Sequence, residues 1–116
     1  MTPGKLNFTC PQGSTFSRTL TYKIDEDPVD LTGYGARLQV REFHYSDDYV
    51  IGLDSMSSSA NMYLGGSAGT INVYIDPDVT KELVPGNYVY DLEIYTASNV
   101  YRLVEGTFKV TAEVTR

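Results

Sequence analysis

The last thirty residues constrain the fold most: NYVYDLEIYTASNVYRLVEGTFKVTAEVTR reads as two long strands joined by a short polar turn. Tyr88, Tyr90, Leu92 and Ile94 share one parity, with Asp91 and Glu93 on the other. A repeat of two cannot hold one apolar face as a helix, but it covers a half-buried sheet. If residues 96–99 form a four-residue loop, Glu93 faces Arg102, Leu92 faces Leu103 and Ile94 faces Tyr101. A one-residue slip would turn the core residues out to solvent, so the register is specified. Gly106 fits a bulge or a close approach that returns Phe108 and Val110 to the packed side.

The same alternation recurs upstream. In FSRTLTYKI, residues 16–24, Phe16, Leu20, Tyr22 and Ile24 share a face, with Arg18 the misfit. In YGARLQVREF, residues 34–43, Ala36, Leu38 and Val40 oppose Arg37, Gln39 and Arg41. TINVYI, residues 70–75, turns Ile71, Val73 and Ile75 inward. A short strand is also expected over residues 6–10. Turns are expected at 11–13, at Asp25-Glu26-Asp27-Pro28 and at Asp30-Leu31-Thr32-Gly33. Asp76-Pro77 reads as an N-cap followed by proline at the first helical position, opening a short helical turn over 77–83.

At 116 residues the chain is expected to form one domain, 1–116. A loose arm is expected at 1–5 and a loop-rich insert at 44–69. Within that insert Tyr49–Leu53 and Asn61–Leu64 are short strand candidates, SMSSSA is a polar loop, and residues 65–69 form a glycine-rich turn. The expected fold is all-β, an immunoglobulin-like two-sheet β-sandwich, with a small barrel as the alternative. No Cys…Trp…Cys signature supports an antibody-type domain.

The acidic balance, a formal charge of −6, disfavours nucleic-acid binding, which draws on phosphate neutralisation by Lys and Arg. No apolar run approaches a membrane-spanning length, and the first residues lack the apolar core of a signal peptide. Synthesis in a cytoplasm is therefore expected, and the Asn7-Phe8-Thr9 sequon carries no weight.

Catalytic apparatus is sparse. Cys10 has no disulfide partner and reads as a small hydrophobe. His44 is the one histidine, too few for a zinc site. Asp25, Glu26, Asp27 and Asp30 are dense, but they lack EF-hand spacing and read as turn carboxylates. Asp76 and Asp78 suit a helix N-terminus. Asp91 and Glu93 share a strand face at about 6–7 Å, a spacing compatible with sugar hydrolysis, yet Glu93 is assigned to Arg102. No catalytic residue, metal or cofactor is expected, and the chain reads as a non-enzyme.

The surplus is aromatic, with ten tyrosines. Tyr22, Tyr88 and Tyr90 fall on core faces. Tyr45, Tyr49, Tyr63, Tyr74 and Tyr95 are harder to bury and form the candidate interface, since tyrosine tolerates water at one end and contributes area at the other.

Three segments, PVDLTGYGARLQVRE at 28–42, LVPGNYVYDLEIYT at 83–96 and VYRLVEGTFKVTAEVTR at 100–116, carry a resemblance. Together they make the chain resemble small β-sandwich proteins of tailed bacteriophages, such as the N-terminal domains of lactococcal-phage upper baseplate proteins. The matching features are an Asp-Leu-Thr-Gly turn before a strand ending near Arg41, the Gly86–Glu93 strand, and the Gly106–Thr115 stretch. Residues 44–69 depart from that pattern. The resemblance implies a virion structural protein made in a bacterial cytoplasm. Its role would be a baseplate, tail, neck or capsid-associated adaptor packed in a symmetric ring or against neighbouring virion proteins. Because Arg116 is not followed by a receptor-binding extension, an adaptor is expected rather than direct host recognition. The alternative is a glycan-binding sandwich module in host attachment.

Overall fold

A computed structural model describes residues 4–56 and 61–114. Eleven strands follow in order: β1 (Gly4–Lys5), β2 (Phe8–Pro11), β3 (Phe16–Thr21), β4 (Lys23–Ile24), β5 (Asp27–Pro28), β6 (Gly35–Arg41), β7 (Ile51–Asp54), β8 (Met62–Leu64), β9 (Thr70–Ile75), β10 (Gly86–Tyr95) and β11 (Val100–Thr111). One helical turn, α1 (Pro77–Thr80), separates β9 from β10. The larger sheet runs β1–β11–β10–β6–β7, with β2 also on β11, and the smaller runs β3–β9–β8. The protein is an all-β sandwich.

Alternation builds the core directly. Ala36, Leu38, Val40, Tyr90, Leu92, Ile94, Phe108 and Val110 come from the large sheet, and Phe16, Met62, Ile71, Val73 and Ile75 from the small one. At one end Phe16 meets Phe8 edge-on at 5.3 Å and Phe108 at 5.3 Å. Such ring pairs add about 0.5–1.5 kcal/mol each beyond area burial. Cys10 is fully buried within this core. Burial pushes its thiol up against a smaller opposing effect of Arg18.

The C-terminal hairpin has the expected loop, with Tyr95 opposite Val100, Ile94 opposite Tyr101 and Glu93 opposite Arg102. A bulge then intervenes, so Leu92 faces Val104 and not Leu103. Leu103 remains buried, so the extra residue costs the core nothing. Gly106 is not the bulge but the close approach. A Cβ there would stand 2.2 Å from the Leu6 carbonyl oxygen. The link between β1 and β2 arches over it: Tyr90 Oη donates to the Leu6 carbonyl at 2.6 Å, and Asn7 Oδ1 accepts the Thr107 N–H at 3.0 Å.

Several expectations are corrected. The loose arm at 1–5 does not hold for Gly4 and Lys5, which pair in parallel with Val104 and Glu105; residues 1–3 lie outside the described residues. The strand expected over 16–24 stops at Thr21. Asp25 and Glu26, both at positive φ, form a tight turn that folds Lys23–Ile24 back on Asp27–Pro28. Ile24 is 54% exposed as a result. The strand expected over 6–10 begins at Phe8 and runs on through Pro11, the first residue of the turn expected at 11–13. The insert at 44–69 contributes an edge strand to each sheet, and its glycine-rich turn holds a short 3-10 segment at Gly66–Ala68. Of SMSSSA, residues 57–60 lie outside the described residues.

The helical turn expected over 77–83 is helical only over Pro77–Thr80, and Asp76 makes no side-chain cap. What holds this turn is Thr80, fully buried, whose Oγ1 donates to the Ser14 carbonyl at 2.8 Å. Arg18, the misfit of β3, lies on an edge strand. Its guanidinium covers the Phe16 ring at 4.4 Å while the side chain stays exposed. A charged side chain on an edge strand guards the free edge against pairing.

Candidate functional site on the outer face of the large sheet

Among the residues of β6, β10 and β11 that alternate away from the core, the charged ones form a network across strands. Arg37 Nε donates to Glu93 Oε1 at 2.9 Å. Arg102 Nε stands 3.2 Å from Asp91 Oδ2, and its Nη1 3.7 Å from Glu105 Oε1. Lys5 closes the row on Glu105. The expected Glu93–Arg102 ion pair is therefore replaced. The two residues are opposite one another along the ladder, but Glu93 sits between two arginine-bearing strands and takes the one on β6.

Electrostatics follow the packing. Desolvation holds the Asp91 carboxyl above the usual range, with Arg102 pulling it back and Glu93 and Glu105 pushing it further up. Hydrogen bonding from Lys5 holds Glu105 below its ordinary value. Arg41 makes no carboxylate ion pair among the described residues. Its guanidinium donates to Gln39 Oε1 and to the Ser46 carbonyl, each at 2.8 Å.

Two depressions lie on this face. One, of about 550 Å³, is lined by Arg37, Gln39, Arg41, His44, Asp91 and Arg102 among others. The second, of about 500 Å³, is lined by Arg37, Gln39, Tyr49, Gly52, Asp54 and Asn61 among others. Two tyrosines are laid over glycines here. A Cβ on Gly52 would meet the Tyr49 ring at 2.6 Å, and one on Gly35 the Tyr95 ring at 2.7 Å.

The five candidate interface tyrosines are dispersed. Tyr45 is 81% exposed and its ring stacks on Phe43 at 5.4 Å with 5° between planes. Tyr49 is 54% exposed, with Arg41 5.8 Å above its ring. Tyr63 and Tyr74 alternate outward on the small sheet. Tyr95 is half-buried, its hydroxyl 2.6 Å from Asp54 Oδ1 and its ring under Arg37 at 4.7 Å. Of the residues assigned to the core, Tyr88 and Tyr90 are buried, and Tyr22 packs against the core half-exposed.

No protein-family pattern matches this chain, and no curated protein is similar to it in sequence.

The turn carboxylates do not gather. Asp30 accepts the backbone N–H and hydroxyl of Thr32, which hold its carboxyl low. No three potential metal ligands converge among the described residues. No described helix is long and apolar enough to cross a membrane. Sequence reading missed Phe43, Gln39 and the two glycines. An isolated glycine in a strand is the signal that finds the last two, since it marks a close approach.

Proposed function

We propose that this chain is a non-enzymatic structural subunit of a bacteriophage particle, an adaptor of the baseplate, tail, neck or capsid-associated kind. It would pack against further copies in a symmetric ring or against neighbouring virion proteins. The observation that carries the reading is the Phe43–Tyr45 pair. The two rings project from the β6–β7 connection, 53% and 81% exposed, yet are mutually stacked in one geometry. A turn fixes that geometry, the Phe43 carbonyl accepting the Ser46 N–H at 3.1 Å while Ser46 Oγ accepts the Phe43 N–H. A pre-ordered aromatic knob is the form of anchor that dominates protein interfaces, because little side-chain freedom is lost on docking.

Two further features support this reading. The phage resemblance spans residues 28–42, 83–96 and 100–116. Asp91 and Glu93, the acids nearest to an acid–base pair, are each held by an arginine.

The test is the mass of the purified chain in solution, together with its location in purified particles. Assembly should be lost in Phe43→Ser and Tyr45→Ser, with the thermal midpoint unchanged. A chain that stays monomeric and is absent from particles would sink the reading.

A further inference from the structure

We propose that the outer face of the large sheet is a binding groove for an uncharged oligosaccharide, lying across β7, β6, β10 and β11 with Gln39 at its centre. This goes beyond the assembly role, which uses the Phe43–Tyr45 knob.

Shape comes first. The two depressions share Arg37 and Gln39, so they adjoin at these two side chains and together make up the proposed groove. Crossing four strands at about 4.8 Å spacing, it runs about 14 Å, long enough for a chain of sugars rather than a single ion.

Charge selects the ligand class. Arg37, Arg41 and Arg102 stand among Asp91, Glu93 and Glu105. An anionic ligand would meet three carboxylates and a cationic one three guanidinium groups. A polyol, whose every hydroxyl both donates and accepts, matches a face of alternating fixed donors and acceptors.

The polar groups are held in place before any ligand arrives. Arg41 can only donate, so the Gln39 oxygen must face it and the Gln39 Nε2 is turned away. That amide nitrogen has no protein partner recorded among the described residues. The Arg37–Glu93 and Arg102–Asp91 pairs lock two more planar groups at the groove floor.

The groove also has an apolar platform. Tyr49, 54% exposed as a residue, lies over Gly52, and only glycine leaves room for it. That ring and the Arg41 guanidinium 5.8 Å over it are planar groups of the kind that pack against the C–H face of a pyranose.

The test is an NMR titration of the isotope-labelled full chain with maltotetraose, cellotetraose and chitotetraose as probes. At least one should give saturable shifts at the Gln39, Gly52 and Asp91 amides, with a Kd of about 1 mM or tighter. Gln39→Ala and Tyr49→Ala should each weaken it about tenfold or more. Tyr49→Phe and Tyr74→Ala, the latter on the opposite sheet, should leave it intact. Three outcomes overturn the proposal. One is no saturable shift with any of the three sugars, and another is binding that survives both alanine variants. The third is Tyr49→Ala changing the mass in solution while no sugar binds, which would give this face to a protein partner.

Discussion

Glu93 lies directly opposite Arg102 on the β10–β11 ladder, yet its carboxylate binds Arg37 on the other flank at 2.9 Å. Arg102 turns instead to Asp91 at 3.2 Å. Both choices follow from β10 being a central strand, which offers each side chain a neighbour on either hand. A double-mutant cycle on Arg37 and Glu93 should return a coupling of about 0.5–1 kcal/mol by denaturant unfolding, as expected for partly exposed pairs. The Glu93–Arg102 cycle should return less than half of that. Equal couplings would show that Glu93 divides its time between the two.

Tyr90 ties the link between β1 and β2 to the sheet. Removing its hydroxyl in Tyr90→Phe leaves the Leu6 carbonyl without that donor, at a cost of about 1–2 kcal/mol. Hydrogen exchange should rise first at residues 4–8, ahead of β10. Unaltered exchange there would mean that the hydroxyl does not hold the arch.

Gly106 tolerates no side chain. In Gly106→Ala the new methyl would lie 2.2 Å from the Leu6 oxygen, backbone that can move only by lifting the link between β1 and β2. The loss should reach about 2 kcal/mol or more, the range of real overpacking. Gly33→Ala, where no neighbour lies within 4 Å but φ is +87°, should cost less, through backbone strain alone.

Asp91 gives the acid limb of stability an unusual sign. Its folded-state pKa is raised above the ordinary 3.8, chiefly by desolvation, so between those two values the folded protein binds more protons than the unfolded chain. Stability therefore falls as pH rises through that window, and the deficit persists above it. Asp30, held low by Thr32, acts in the opposite sense: its contribution is present above its unfolded pKa and is lost as pH falls through the lowered one. Thermal melts from pH 3 to 7 should show Asp91→Asn gaining on the parent as pH rises. Thr32→Val should fall behind the parent over the same range. Parallel profiles for Asp91→Asn and the parent would refute the assignment.

Strand alternation was legible because it is local. TINVYI and GARLQV bury the faces that their parity assigns. Where parity continued past a turn, it misled: Ile24 keeps the phase of Phe16, but two residues at positive φ carry it onto a separate ribbon. The bulge was invisible because Leu103 and Val104 are both apolar, so either can face Leu92. The groove was hidden for a different reason. Its walls come from two strand pairs distant in sequence, β6–β7 and β10–β11, and the partner of Glu93 depends on which strand lies on its far side. The knob was missed because Phe43 closes a strand-like run, and only the turn at Ser46 swings it out to meet Tyr45.

The first two strands run beside the last in the same direction, Gly4 of β1 next to Val104 and Pro11 of β2 next to Thr111. The backbone therefore leaves the sandwich from opposite ends of that parallel ladder. A pull applied through Gly4 and Thr111 loads its hydrogen bonds together, in shear, rather than opening them one after another. Fixed at both ends, the domain would act as a force-bearing link, yielding only when the whole ladder slips at once.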